Sequence, residues 1–284
     1  MAETTDHIIT DEAREAYRRD GVIHVPNAVG EDWLSVVATG IDLNREQPGE
    51  FFRDQTRDGN LARYVFDYWT WQSFPEFRHF IENGPVAKLA ARTLGSDRVT
   101  LLMDNWFMND VGATNAAPWH QDKPYFDFDG PMCNVLLALD PIPLDASLRF
   151  AKKSHLDGVT YKAIHFRDRV PFEGQPDEDY ADIPDVDEEG RFEIEGWAMV
   201  PGDCLIFDLR TLHRGPVNDA PANAMRRRYS LRFGTPDTIF TPRGRWTADI
   251  SRHLMDLGQK PGLALNTLLT PQLSPYNNPS EDFQ

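Results

Sequence analysis

Cysteine is scarce: two residues, Cys133 and Cys204, in a chain of 284. That excludes a disulfide framework and fits a reducing compartment. Long apolar runs are missing too. No stretch approaches the ~20 residues needed to cross a bilayer, and residues 1–10 hold no apolar core of a secretory signal. The expectation is a soluble, cytoplasmic protein. Basic side chains are outnumbered 29 to 45, for a formal net charge of −16, which argues against a nucleic-acid backbone or an anionic membrane as partner. There is no internal repeat and no GxGxxG loop, which weakens nucleotide-binding readings. Aromatics are plentiful, at 11% and spread along the chain. A mainly disordered chain is therefore excluded, and the length is ample for a large core.

The N-terminal third reads as largely helical. Thr10 before Asp11 and Glu12 supplies a capping hydroxyl and negative charge at a helix start, predicting a helix to about Arg19 that Gly21 stops. Residues 32–44 and 85–94 are further helices, the second entered at Pro85 and ended at Gly95. Residues 22–25 form a short β-branched run closed by Pro26. Beyond Gly95, strand-like runs at 99–103, 106–108, 133–139, 148–150, 204–207 and 229–233 are separated by turn residues such as Asp140-Pro141 and Pro201-Gly202-Asp203. Short strands at this spacing predict an antiparallel sandwich or barrel rather than βαβ units.

Residues 173–195 carry eleven acidic side chains and one basic one, Arg191, so −10 of the total charge sits there and −6 remains over the other 261 residues. Such a density does not fit a core strand. The expectation is a solvated insertion, with a lid beside an active site as the sharper reading.

The chemistry-bearing stretch is Trp119-His120-Gln121-Asp122. In an extended strand, residues i and i+2 share a face, so His120 and Asp122 can present an imidazole and a carboxylate to one point. A further histidine would complete a facial set of two His and one carboxylate, which leaves open positions on an octahedral metal. Of eight histidines, His213 has the context: it follows the turn 201–203 and the run 204–207. Arg226, Arg227 and Arg228 then enter the strand at 229–233. Alternation requires at least one of them to face inward, where a guanidinium needs an anion and suits a carboxylate.

These residues resemble the phytanoyl-CoA dioxygenase family of Fe(II)- and 2-oxoglutarate-dependent oxygenases. The matching motifs are residues 20–25, Trp119-His120-Gln121-Asp122, Leu148-Arg149-Phe150 leading to Ser154-His155, Pro201-Gly202-Asp203, His213 with Asn218, and Arg226 followed four residues later by Ser230. The resemblance implies a mainly β fold with flanking helices and a double-stranded β-helix (jelly-roll, cupin-like) core. One oxygenase domain over 1–284 is expected, with a helical part at 1–95, a core at 96–245 holding an acidic insertion at 165–196, and an extension at 246–284. The resemblance further implies that His120, Asp122 and His213 hold Fe(II), with no catalytic side chains beyond these ligands. Arg226 is the expected partner of the distal carboxylate of 2-oxoglutarate, with Ser230 beside it and Arg228 as the alternative. Asn109 stands where the family often has a basic residue contacting this cosubstrate. His155 is expected to be structural or substrate-facing.

The implied reaction is hydroxylation of a small-molecule metabolite, with O2 consumed and 2-oxoglutarate decarboxylated to succinate. Related halogenases lack the carboxylate ligand, so Asp122 favours hydroxylation. Lys123, Tyr125, Phe126, Asn134, Trp106 and Arg232 are the candidate substrate walls. No concentrated basic patch suits a CoA phosphate. Two rival functions use the same pattern: a jelly-roll hydrolase or isomerase using the metal as Lewis acid, and a non-catalytic metabolite-binding protein. The hydrolase chemistry needs no second carboxylate anchor, so Arg226 and Ser230 argue against it.

Overall fold

The computed structural model describes residues 9–56, 62–113, 117–166, 168–216 and 224–276. Asn218, one of the pattern residues, lies outside them. Helix α1 (Asp11–Asp20) begins where Thr10 Oγ1 accepts from the Ala13 amide at 3.2 Å. It ends at Gly21, whose φ of 81° is left-handed. A Cβ there would lie 2.5 Å from His155 Nδ1 and from Thr211 Oγ1, so only glycine lets α1 turn directly into β1 (Val22–Val25). Helices α2 (Glu31–Glu46), α3 (Pro75–Asn83) and α4 (Val86–Leu94) complete the N-terminal helical layer.

That N-terminal part is less purely helical than expected, because β2 (Arg53–Asp54) and β3 (Tyr64–Tyr68) join β1 in the main sheet. The remaining strands are β4 (Val99–Asn109), β5 (Phe128–Asp129), β6 (Met132–Ala138), β7 (Arg149–Ala151), β8 (Ile194–Glu195), β9 (Cys204–Asp208), β10 (His213–Arg214), β11 (Arg226–Gly234), β12 (Ile239–Phe240) and β13 (Gln272–Leu273). The separate runs at 99–103 and 106–108 are one strand, β4. The C-terminal part adds helix α5 (Ala248–Asp256).

The large antiparallel sheet has the order β1-β9-β6-β11-β4-β3-β2, with β13 also on β4. A small sheet, β10-β7-β8, and the pair β12-β5 supply the opposing strands. This is the antiparallel jelly-roll architecture expected from the sequence. The outer face of the large sheet carries Tyr229, Leu231 and Phe233 into a core with Val37, Ile41, Phe77, Phe80 and Leu89 of the helices. The inner face carries the alternate residues, which on β11 are Arg226, Arg228, Ser230 and Arg232.

A register shift sets which residues of β4 face inward. Arg232 pairs with Met103 but Phe233 pairs with Leu101, so Leu102 is the extra residue of a bulge. Leu101 consequently faces the helices, whereas Met103, Asn105, Phe107 and Asn109 face the interior cavity. No helix among the described residues is long and apolar enough to cross a membrane.

Candidate active site

His120 and His213 lie on neighbouring antiparallel segments that exchange backbone hydrogen bonds, His120 N to His213 O and His213 N to His120 O, both 2.9 Å. Asp122, two residues beyond His120, turns to the same point. One ligand atom from each of the three lies within 4.8 Å of the others. Asp122 Oδ1 is 3.6 Å from His120 Nε2 and 3.7 Å from His213 Nε2.

The surrounding bonds select which atoms face inward. His120 Nδ1–H donates to Pro118 O at 2.8 Å and His213 Nδ1–H to Thr211 O at 2.9 Å. Each ring therefore keeps a bare Nε2 lone pair. Asp122 Oδ2 accepts from Arg232 Nε at 3.1 Å, Arg232 Nη2 at 2.9 Å and Asn134 Nδ2 at 3.2 Å, so only Oδ1 remains free. Two imidazole nitrogens and one carboxylate oxygen suit Fe(II). Cis donors around such an ion sit about 3 Å apart for bonds of about 2.1 Å, so the residues present fit it once Asp122 Oδ1 closes on each Nε2 by roughly 0.6–0.7 Å.

All three side chains are buried, and the electrostatics follow. Burial opposes ionisation of Asp122, but the Arg232 guanidinium bonded to it outweighs that cost and holds its pKa far below the usual carboxylate range. Burial, then the nearby His120, pushes the His213 pKa down to about 3, so the ring stays neutral and able to ligate.

The three donors open onto a cavity of about 430 Å³, within the range of small-molecule sites. Arg226, Arg228, Ser230 and Arg232 line it from alternate positions of β11. Arg227 points the other way and pairs with Asp140. Arg226 turns toward the β6–β7 side. Its Nη1 donates to Ala146 O at 3.3 Å, its Nε has no partner, and burial lowers its pKa. Ser230 Oγ donates to Asn134 Oδ1 at 2.8 Å. Arg228 turns instead toward β4, where Nη2 donates to Asn109 Oδ1.

The other candidates divide. Tyr125 and Phe126 line the cavity; the Tyr125 ring meets His120 edge-on, and Phe126 lies under the Arg232 guanidinium, 4.4 Å from carbon to ring centroid. Asn134 and Arg232 line it as well, with bonds directed at Asp122. Lys123 is outside the lining because its ammonium turns 3.2 Å to Asp129. Trp106 is outside too: it lies on the helix face of β4, where its indole N–H donates to Asn44. His155 packs between α1 and the 208–211 turn, bonded to Arg18 O at 3.0 Å.

Several wall residues were not anticipated. Arg53, Tyr64, Phe66 and Tyr68 come from β2 and β3, and Trp246 and Ile250 from the C-terminal part. Phe166 and Phe172 come from the insertion, and Phe166 sits 4.6 Å from the His120 ring, centroid to centroid. The insertion is thus not simply solvated. Tyr161, Tyr180 and Val186 are buried, Lys162 ties Asp177 and Asp182 at 2.7 and 2.9 Å, and Asp187 accepts from Trp119 Nε1 and Arg214 Nη1, both 3.1 Å. Trp119 and Arg214 adjoin His120 and His213. Tyr180, an aromatic residue among the acids, was the available sequence signal.

Comparison with known proteins identifies the family and the fold. Residues 17–228 match the family model described as phytanoyl-CoA dioxygenase (PhyH). A curated relative, dioxygenase FrzG of Cladobotryum sp, is 29% identical over 269 residues, covering 85% of this chain and 79% of that protein. Among solved structures, the non-heme α-ketoglutarate-dependent carbocyclase SnoK from nogalamycin biosynthesis superposes with TM-score 0.72 at 18% identity, covering 96% of this chain and 100% of its own. The epimerase SnoN, solved with Fe3+, α-ketoglutarate and nogalamycin RO, gives 0.69 at 18% identity over 92% of this chain and 97% of its own. At these identities the two structures speak for the fold, and the family match speaks for the chemistry. The chain belongs to the phytanoyl-CoA dioxygenase family, whose enzymes work with Fe(II), 2-oxoglutarate and O2.

Proposed function

We propose that this protein is a cytoplasmic dioxygenase that hydroxylates a small-molecule metabolite while converting 2-oxoglutarate to succinate. The observation that carries the reading is the pairing, within one cavity, of a buried His120–Asp122–His213 donor set with a cavity-facing guanidinium, Arg226, that makes no ion pair among the described residues. His120 and His213 would hold Fe(II) through Nε2 and Asp122 through Oδ1. When bound, the iron with 2-oxoglutarate and O2 supplies oxidative decarboxylation and the removal of hydrogen from an unactivated C–H bond.

The chain's own residues do the positioning. Arg226 receives the distal carboxylate of 2-oxoglutarate on a flank walled by Leu136, Leu148 and Ala146, an aliphatic slot suited to two methylenes. Ser230, bonded to Asn134, links that slot to the Asp122 side of the site. Arg232 and Asn134 keep Asp122 ionised and occupy its Oδ2, so that Oδ1 is the oxygen that would hold the ion. Phe166, Phe126 and Tyr125 shield the centre from water.

The test is succinate formation from 2-oxoglutarate with Fe(II) under air, followed by product mass in a substrate screen. A gain of 16 mass units supports hydroxylation. An unchanged mass points to epimerisation, and a loss of two to ring closure, the reaction types named for SnoN and SnoK. Absence of both succinate formation and 2-oxoglutarate binding by the iron-loaded protein refutes the reading.

A further inference from the structure

With Arg226 given to the cosubstrate, the cavity holds other cations, and all but one are occupied. Arg232 makes two bonds to Asp122 and one to Asn105 at 2.6 Å. Arg53 donates to the Glu50 and Phe52 carbonyls, both at 3.0 Å. Arg228 uses one N–H on Asn109, and its Nε is buried with no partner. No carboxylate among the described residues pairs with it, and burial holds its pKa down, with Arg226 adding to the effect and Tyr64 opposing it.

A guanidinium offers five N–H donors in a plane. Holding one with an unmet donor beside a second cation is unfavourable in the free protein, and an arriving anion removes that cost. Arg228 also faces a different flank from Arg226. It lies over the Phe107 ring at 5.7 Å, on the side of β4 where Phe66 and Tyr64 of β3 pair with Phe107 and Asn109. Phe66 and Phe107 are themselves 5.7 Å apart, centroid to centroid.

We propose that Arg228, with Asn109 and Tyr64, is a substrate anchor that takes a carboxylate carried on a planar, ring-bearing molecule. This rests on the reading that Arg226 holds 2-oxoglutarate. The guanidinium fixes the acid in two parallel hydrogen bonds, and the aromatic floor of β3 and β4 supports the ring. Arg228 acts by placing the substrate and takes no part in bond breaking.

The experiment uses 2-naphthoate and its neutral match 2-naphthamide as probes. Each is titrated anaerobically into the full-length protein loaded with Fe(II) and 2-oxoglutarate, with binding read by calorimetry. Wild type is expected to bind naphthoate about tenfold or more tightly than naphthamide. Arg228→Met is expected to abolish that preference by weakening naphthoate alone, and Arg228→Lys to retain part of it. Equal binding of the two probes by wild type, no binding of naphthoate, or a preference that survives in Arg228→Met overturns the proposal.

The visible charge-transfer absorption of Fe(II)-bound 2-oxoglutarate, recorded on the same samples, serves as folding control and separates the two readings. Loss of that band in Arg228→Met but not in Arg226→Met exchanges the two roles and overturns the anchor. A band lost in neither variant, with the naphthoate preference removed by Arg228→Met, keeps the anchor and refutes only the assignment of Arg226.

Discussion

Arg226→Met should move cosubstrate affinity and stability in opposite directions. In the free protein Arg226 is 9% exposed, makes one long bond of 3.3 Å to Ala146 O, and leaves Nε buried without a partner. Exchanging it for an apolar side chain of similar length removes an under-satisfied buried cation. The gain is on the order of 1 kcal/mol, or about 2 °C in melting temperature for a chain of this size. Toward 2-oxoglutarate the same exchange removes two charge-assisted hydrogen bonds. At about 1.5–3 kcal/mol each, less the cost of ordering the side chain, the net loss is about 3 kcal/mol. That corresponds to a rise of about 10²-fold in Kd. The assay is an anaerobic titration of the Fe(II) protein with 2-oxoglutarate, followed by charge-transfer absorption, beside thermal melts of the metal-free protein. A Kd within threefold of wild type refutes the role given to Arg226. A large fall in melting temperature refutes the claim that its guanidinium is under-satisfied.

Three further outcomes follow from other parts of the molecule. Burial, offset in part by hydrogen bonds from Thr70 and Tyr229, raises the Asp104 pKa from 3.8 to about 6. The folded chain thus holds this proton more tightly than the unfolded chain. Its contribution is fully present below about pH 4 and is lost as pH rises through about 6, a change on the order of 2–3 kcal/mol. Asp104→Asn should therefore stabilise the protein at pH 8 but not at pH 4; melts showing an equal gain at both pH values contradict the assignment. Gly21→Ala places a methyl 2.5 Å from two side-chain atoms at a φ of 81°, with an expected loss of about 2–4 kcal/mol that a thermal melt will show as a drop of roughly 4–8 °C; an unchanged melting temperature excludes the strained turn. His213→Ala removes one of three donors and should abolish Fe(II)-dependent succinate formation while circular dichroism stays native; retained turnover would remove His213 from the ligand set.

Legibility tracked how far apart the cooperating groups lie along the chain. Helix α1 announced itself through Thr10, two acids and Gly21, all within a dozen residues, and α4 through Pro85 and Gly95. The short strands β2 and β3 gave no comparable signal, because their stability comes from pairing with β4 rather than from local propensity. The one-residue slip between Arg232 and Phe233 could not be read from alternation, and it sends Trp106 to the helix face. Lys123 looked like a substrate contact from its place beside Asp122, but the turn after Asp122 aims it at Asp129. The acidic insertion read as solvated because charge dominates its composition, whereas Val186 packs with Tyr161 beside Trp119 and Tyr180 meets Trp246 of the C-terminal part.

The sequence by itself determined an antiparallel sandwich or barrel and, through its family resemblance, nominated His120, Asp122 and His213 as the donor set. Period-two alternation and residue chemistry are local properties, and the order of motifs along the chain carries the rest. Only the tertiary structure decided how those donors are held and what surrounds them. Arg232 and Asn134 reach Asp122 across 110 and 12 residues of chain, and Arg226 and Arg228, two residues apart on one face, turn to opposite flanks because Ala146 waits on one side and Asn109 on the other. Side-chain direction at such positions is set by partners brought together through folding, which no spacing along the chain encodes.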